Sequence, residues 1–157
     1  CKLAVYEIRP ATDEDMVFIA EHARQADIDE LWAADRITPL ETMRKGARVG
    51  EAFLGLVDGC PVCVFGVAPI SFLIGTGIPW MVGTTLLDKH AAGFVKGSRF
   101  AIRQILRKWS KLYNIVDARN TRAIRWLKWL VFQIYPSVPY GHLDLPFHPF
   151  LMEAKHV

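Results

Sequence analysis

Residues 116–127 read VDARNTRAIRWL and lead from a predicted strand directly into a predicted helix. The apolar run at 115–118 is typical of a short buried strand. Asn120 stands at the junction, and Thr121 begins a helix whose apolar residues recur at helical spacing as far as about Gln133. Pro136 and Pro139 then end the helical pattern. The stretch therefore predicts a strand followed by a helix that packs back onto the same sheet.

The segment before this unit predicts a second helix and, further upstream, several strands. Residues 98–112 form an amphipathic helical pattern that is rich in arginine and lysine. Residues 60–87 carry no charged side chain, a length that exceeds a membrane-spanning helix, but three prolines and four glycines interrupt them. We therefore expect buried strands at 62–68 and 80–85 rather than a membrane span. A strand at 52–57 would pair with the first of these around Asp58-Gly59, a typical hairpin turn.

Both ends of the chain add further strands to this sheet. Residues 5–9 alternate apolar and polar side chains up to Pro10. Thr12 and Thr38 are typical helix N-caps, and a short helix is predicted at 28–34 between the helices that they begin. Strands at 140–145 and 150–154 would close the chain, with the last at the sheet edge. The element order predicts an α+β fold, a mixed and mostly antiparallel sheet flanked by helices, in a single domain spanning residues 1–157.

Composition excludes several protein classes. Of the 157 residues, 52% are hydrophobic and 22% charged, which excludes a disordered chain. Three cysteines are an odd number, which favours a reducing, cytoplasmic compartment over a disulfide scaffold. Cys60 and Cys63 have the spacing of redox and zinc sites, but no second ligand pair follows at suitable spacing. We interpret them as small apolar residues of a strand and expect no metal.

The net charge of +3 is unevenly distributed. Residues 1–87 have a net charge of −5, whereas residues 88–128 have a net charge of +9. Arg99, Arg103 and Arg107 recur every four residues, so they form a stripe on one helix face. Such a basic face suits an acidic protein partner, with nucleic acid as a weaker alternative because no nucleic-acid-binding motif is present.

Two motifs resemble the GNAT family of N-acetyltransferases. That family opens with a strand of the form x-I-R-P-a-t-x-x-D, and residues 8–15 read IRPATDED. Its late segment is a strand, an Asn, two residues, an Ala and an aromatic-rich helix, which residues 116–127 match. The chain is most similar to small GNAT-like proteins of short-tailed phages, some of which are internal-virion or core-assembly proteins. The resemblance implies the GNAT fold, and a location in the cytoplasm, which would be the host cytoplasm or the virion if the chain is phage-encoded.

The resemblance also implies a site for acetyl-CoA. GNAT enzymes lay the pantetheine arm beside the strand that is splayed from its parallel neighbour. They bind the pyrophosphate at the N-terminus of the next helix, where backbone N–H groups and the helix dipole favour an anion. Here that strand would be 80–85 and that helix would begin near Ser98. The cofactor-binding residues implied in this way are Val82, Gly93, Lys96, Gly97, Ser98, Arg99 and Asn120.

The chain departs from the family pattern at two functional positions. The family's phosphate loop reads Gln/Arg-x-x-Gly-x-Gly/Ala, whereas residues 90–95 read HAAGFV and keep only the middle glycine. The family often has a Tyr seven residues after the motif Asn, and this chain has Leu127 there. Catalytic residues are therefore not assigned. The candidate bases are Glu51 and His90, and the candidate acids are Tyr113, Tyr135 and Tyr140.

Two functions remain open. The first is an acetyl-CoA-dependent N-acetyltransferase or a CoA-binding relative. The second is a catalytically inactive, phage-encoded GNAT-like protein that acts in virion assembly or host interaction through its basic face.

Overall fold

One mixed sheet organises the chain in the computed structural model, which describes residues 3–71 and 73–153. Its strand order is β1-β2-β3-β4-β5-β8-β6, and β7 also pairs with β8. The strands of this part of the chain are β1 Tyr6–Pro10, β2 Ala52–Val57, β3 Cys60–Ser71, β4 Thr76–Gly83, β5 Lys111–Asp117, β6 Gln133–Ile134, β7 Val138–Tyr140 and β8 Leu145–Glu153. Its helices are α1 Asp13–Glu21, α2 Gln25–Asp35, α3 Pro39–Val49, α4 Thr85–Leu106 and α5 Thr121–Trp129. The predicted α+β class, with a mostly antiparallel sheet and flanking helices, is confirmed.

Local capping and turn signals determine the N-terminal half. The Thr12 side chain accepts a hydrogen bond from the Asp15 N–H, and the Asp15 carboxylate accepts one from the Thr12 N–H, so a complete capping box begins α1. Thr38 caps α3 in the same way through the Glu41 N–H. Asp58 and Gly59 both adopt positive φ, which matches the right-handed twist of the β2–β3 hairpin. The predictions for these elements are confirmed.

The helices cover both faces of the sheet. Met16 and Ile19 of α1 and Met43 of α3 pack against Leu54 and Val64 on one face. On the other face, Phe94 and Ile102 of α4 pack with Val62 and Cys63, and Trp126 joins them from α5. The core therefore lies in two layers, with the sheet between them.

The two parallel strands at the centre of the sheet are joined at one end only. β4 and β5 pair through Thr76 with Lys111 and through Gly77 with Leu112, and no further ladder position joins them among the described residues. Towards Gly83 and Asp117 the strands diverge, and a V-shaped gap opens between their carboxyl ends. α4 and α5 follow these two ends directly, so the gap has one helix on each side of its mouth.

Several predicted element bounds are wrong. The strand predicted at 80–85 ends at Gly83, and the helix predicted to begin near Ser98 begins at Thr85. α5 ends at Trp129 because the chain turns at Val131, whose φ is +70°. Residues 141–144 form a turn rather than a strand, and β8 lies between β5 and β6 rather than at the sheet edge. Ala154, the predicted end of that strand, lies outside the described residues. Within the described part, no helix is both long and apolar enough to cross a membrane.

Candidate functional site

The gap between β4 and β5 continues into a cavity of about 630 Å³. Its walls come from both faces of the sheet and are mainly apolar, including Trp80 and Met81 of β4, Ile115 of β5, and Phe94 and Leu127 of the covering helices. Concave, mainly apolar spaces with a few polar groups are the usual form of a small-molecule site. The cavity is therefore the candidate ligand-binding site.

A buried polar network closes the mouth of this gap. One Asp27 carboxylate oxygen accepts a hydrogen bond from the Gly83 N–H at 2.9 Å, at the end of β4. The other accepts from the Asn120 side-chain amide at 3.1 Å and from the Arg24 guanidinium at 2.9 Å. Arg24, Asp27 and Asn120 are 7%, 4% and 1% exposed. Asp27 thus links the end of β4 to the residue that begins α5, across the opening. We call Arg24, Asp27 and Asn120 the latch.

Contacts between α4 and α5 extend this closure. The Arg24 Nε lies 2.8 Å from an Asp88 carboxylate oxygen in the first turn of α4. Arg122 of α5 donates a hydrogen bond to the Asp88 carbonyl at 2.9 Å. One turn further on, the Trp126 indole N–H donates to the Ala91 carbonyl at 3.3 Å, and its ring stacks on Phe94. The space between the two helices is thereby bridged by side chains.

Glu30 is a carboxyl group at the gap whose pKa is raised. Its Oε1 accepts a hydrogen bond from the Asp117 N–H at 2.7 Å, at the end of β5, and the residue lines the cavity. Burial raises the pKa of Glu30 to about 8, since a low-dielectric environment disfavours its charged form. Burial also raises the pKa of Asp27, although the Arg24 charge opposes that shift. Local sequence patterns do not predict Glu30, Asp27 or Arg24 as site residues. The only signal is two acids three residues apart on a short helix, a pattern typical of solvent-exposed faces.

The structure separates the predicted cofactor residues into two groups. Val82 is buried in β4, and Asn120 lies at the mouth of the gap as part of the latch. The other five lie inside α4, so the predicted helix start there is wrong: Gly93, Lys96, Gly97, Ser98 and Arg99. Lys96 and Arg99 are exposed on the helix surface and Ser98 is buried.

Close packing against Tyr6 explains why positions 93 and 97 of α4 are glycines. A Cβ atom at Gly93 would collide with the Tyr6 hydroxyl oxygen, and one at Gly97 would lie 2.5 Å from Tyr6 Cδ2. The glycines therefore let α4 approach β1 closely. A cofactor-binding role for them has no support in their position, since their backbone groups are inside the helix.

Two features at the N-terminus of α4 disfavour the pyrophosphate of CoA. The Thr84 N–H and hydroxyl group both donate to the Val62 carbonyl, and Ala23 forms a β-bridge with Thr84. Asp88 adds a negative charge in the first turn, where a bound phosphate would need positive potential, although Arg24 and Arg122 lie beside this carboxylate and offset part of its charge.

The catalytic candidates from the sequence are scattered. Glu51 is exposed and pairs with Lys108, with 3.3 Å between Oε2 and Nζ, and His90 lies within α4. Tyr113 and Tyr140 line the cavity. The Tyr135 hydroxyl group instead donates to Gln133 Oε1 at 3.0 Å. No two of these five residues share a contact among those that the described residues make.

Neither the cysteines nor any metal-ligand cluster offers a second site. Cys63 is fully buried, and burial raises the pKa of its thiol far above the usual range, while Cys60 is exposed. Residues 3–71 and 73–153 contain no group of three or more His, Cys, Asp or Glu side chains arranged to hold a metal ion.

Comparison with known proteins gives a fold but no close relative. No family model matches the chain, and no curated protein sequence matches it. Among solved structures, a GNAT-family acetyltransferase from Streptococcus pneumoniae is 14% identical, with a TM-score of 0.66 over 96% of this chain and 99% of that one. Ard1 from Thermoplasma volcanium is 15% identical, with a TM-score of 0.69 over 97% and 99% of the two chains. Spermidine N-acetyltransferase from Vibrio cholerae, solved with CoA and spermine, is 10% identical, with a TM-score of 0.64 over 94% and 95%. The splayed strands, the two helical layers and these similarities together establish that the chain has the fold of the GNAT acetyltransferases.

Proposed function

We propose that this protein uses the GNAT fold to bind an acidic protein partner and does not transfer acetyl groups from CoA. The observation that carries the proposal is the latch, which joins the end of β4 to the start of α5 at the gap where the GNAT resemblance would place the pantetheine arm. Removing Asp27 from this position would leave the Gly83 N–H and the Asn120 amide without their acceptor, and Arg24 would keep only Asp88 as an ion-pair partner. Opening the mouth for a cofactor therefore has a large free-energy cost.

The binding surface in this proposal is the outer face of α4 and α5. Its six cations are exposed, and none of them takes part in the ion pairs found among residues 3–71 and 73–153: Lys89, Lys96, Arg99, Arg103, Arg125 and Lys128. We call these residues the basic face. Like charges one turn apart destabilise a helix, so a stripe without counter-charges favours an external anion.

Two aromatic side chains accompany these cations. Phe100 is 77% exposed and lies one turn from Lys96 and Arg103 on α4. Trp129 is 43% exposed and follows Arg125 by one turn on α5. Arginine and aromatic residues are the types enriched at protein interfaces, which supports a protein partner over a purely electrostatic contact.

The test measures the affinity of two proteins for poly-glutamate. One is the parent protein, and the other is a double variant that combines Arg99→Glu with Arg103→Glu. We expect at least about a tenfold loss of affinity, since close interfacial charge pairs contribute about 1.5 kcal/mol or more. A matched control is Lys45→Glu with Arg48→Glu, because both residues are exposed on α3 and the change in net charge is the same. Equal losses in both variants would contradict a specific basic face. Tighter binding to single-stranded DNA than to poly-glutamate would identify nucleic acid as the partner instead.

Acetyl transfer is the second candidate, and Glu30 is the observation that favours it. A carboxyl group with a pKa of about 8 in an apolar cavity has the proton affinity of a general base that works near neutral pH. If this candidate is right, the purified protein releases CoA from acetyl-CoA in the presence of amines, and Glu30→Gln abolishes the release. A parent protein that releases no thiol with any amine tested would exclude it.

The origin of the partner, in a phage virion or in its host, stays a prediction. It rests on the resemblance of residues 98–127 to phage proteins.

A further inference from the structure

The turn between β3 and β4 exposes three large aliphatic side chains. Leu73 is 98% exposed, Ile74 is 68% exposed and Ile70 is 55% exposed. Leu73 and Ile74 lie in the turn itself, whereas Ile70 lies near the end of β3 and also borders the cavity. We call these three residues the hairpin tip. Contiguous exposed apolar side chains on a water-soluble surface mark an interaction site.

The hairpin tip is held in this exposed position. The Ser110 hydroxyl group donates to the Ile74 carbonyl at 2.6 Å, and the Ser110 N–H donates to the Gly75 carbonyl at 2.9 Å. Gly75 has a φ of +64°, which an L-residue with a side chain rarely adopts. These contacts fix the turn against the segment between α4 and β5, so the tip does not need to fold on binding.

Cations lie beside the tip at this end of the molecule. The Lys111 N–H also donates to the Gly75 carbonyl, at 3.2 Å, and Arg107 and Lys108 lie just before Ser110 in sequence. Lys108 pairs with Glu51, whereas Arg107 and Lys111 take part in no ion pair among the described residues. The nearest acid by register is Glu153, opposite Lys111 on β8.

We propose that the hairpin tip inserts into the surface of an anionic lipid bilayer, with Arg107 and Lys111 against the lipid headgroups. Apolar side chains beside lysine and arginine are the chemistry of interfacial membrane binding. A stable protein interface buries about 800 Å² on each partner and needs a complementary surface. A fluid bilayer accepts such a tip without a complementary pocket. This proposal does not depend on the proposed function of the basic face.

Vesicle flotation tests the proposal. The neutral vesicles contain phosphatidylcholine alone, and the anionic vesicles contain phosphatidylcholine and phosphatidylglycerol. We expect the parent protein to float with the anionic vesicles and much less with the neutral ones. Leu73→Ser with Ile74→Ser should reduce this binding at least about tenfold, because the apolar contribution is lost. Arg107→Gln with Lys111→Gln should reduce it by roughly 30-fold, since each cation near an anionic surface contributes about a 5-fold factor.

The matched control removes two exposed apolar side chains elsewhere on the surface, by Val131→Ser with Leu143→Ser. Val131 is 71% exposed and Leu143 is 54% exposed. This control should bind anionic vesicles like the parent protein. The hairpin-tip variant should keep the parent's thermal unfolding temperature and its poly-glutamate binding, which separates a failure here from a failure of the basic-face proposal.

Three results would overturn the proposal. The first is no flotation with either vesicle, and the second is equal flotation of the parent and the hairpin-tip variant. The third is a concentration-dependent dimer of the parent that the hairpin-tip variant does not form, because a second copy would then cover the tip.

Discussion

Glu30→Gln should change the pH dependence of stability in a predictable direction. The folded protein holds the Glu30 proton up to about pH 8, whereas an unfolded chain loses it near the ordinary glutamate pKa of 4.5. Between these values the folded state binds more protons than the unfolded state. The free energy of unfolding therefore falls as the pH rises. Glutamine keeps an oxygen acceptor for the Asp117 N–H but does not ionise, so it removes this contribution.

The magnitude follows from the two pKa values. The ionisation of Glu30 lowers the free energy of unfolding by about 1 kcal/mol at about pH 5 and by about 3 kcal/mol at about pH 7. We therefore expect Glu30→Gln to remove a loss of roughly 2 kcal/mol between these two conditions. A slope of the same sign should remain, because burial also raises the pKa of Asp27.

Urea unfolding of both proteins at several pH values between about 5 and 8 measures this difference. Glu41→Gln is the control, since Glu41 is exposed in the first turn of α3, and it should keep the parent's slope. If the parent and Glu30→Gln lose stability in parallel over this range, Glu30 ionises equally in both states and is not a buried acid.

Two further predictions concern packing and the latch. Gly93→Ala should lower the free energy of unfolding by about 1 kcal/mol, because overpacking against the Tyr6 hydroxyl group costs about 1–3 kcal/mol and alanine returns about 1 kcal/mol of helix propensity. Tyr6→Phe should relieve the collision of Gly93→Ala with the hydroxyl group, but not the collision of Gly97→Ala with the ring. Double-mutant cycles measured by urea unfolding test this, and equal relief of both destabilisations would contradict it. Asp27→Ala should cost about 2–5 kcal/mol because it leaves the Gly83 N–H and the Asn120 amide without an acceptor and removes one of the two carboxylates paired with Arg24, whereas Asp13→Ala should have little effect because its pair with Arg44 is exposed. Comparable costs in thermal or urea unfolding would mean that the latch contributes no more than a surface ion pair.

Local signals explain why most of the fold is predictable from the sequence. The Thr12 and Thr38 caps and the Asp58-Gly59 turn each act over a few residues, and the structure has each where it is expected. The error in α4 has a non-local cause. Gly93 and Gly97 indicate a loop when they are considered alone, but Tyr6 occupies the space beside them and stabilises a helix.

The latch was not predictable for the same reason. The Asp27–Asn120 hydrogen bond joins residues separated by 93 positions. No local pattern marks such a pair, and Asp27 in isolation looks like a solvated helix residue. Asn120 was identified through its motif, but its partner became known only from the fold. Its contact with Asp27 makes it part of the latch, and its predicted place beside the cofactor stays a prediction.

Isothermal titration calorimetry with acetyl-CoA and with CoA, at physiological salt, tests the central claim most directly. Because the latch joins the two sides of the mouth and Asp88 places a carboxylate in the first turn of α4, we predict no binding at millimolar ligand. Micromolar binding of either ligand by the parent protein would contradict it, since the latch would then have to open at little cost.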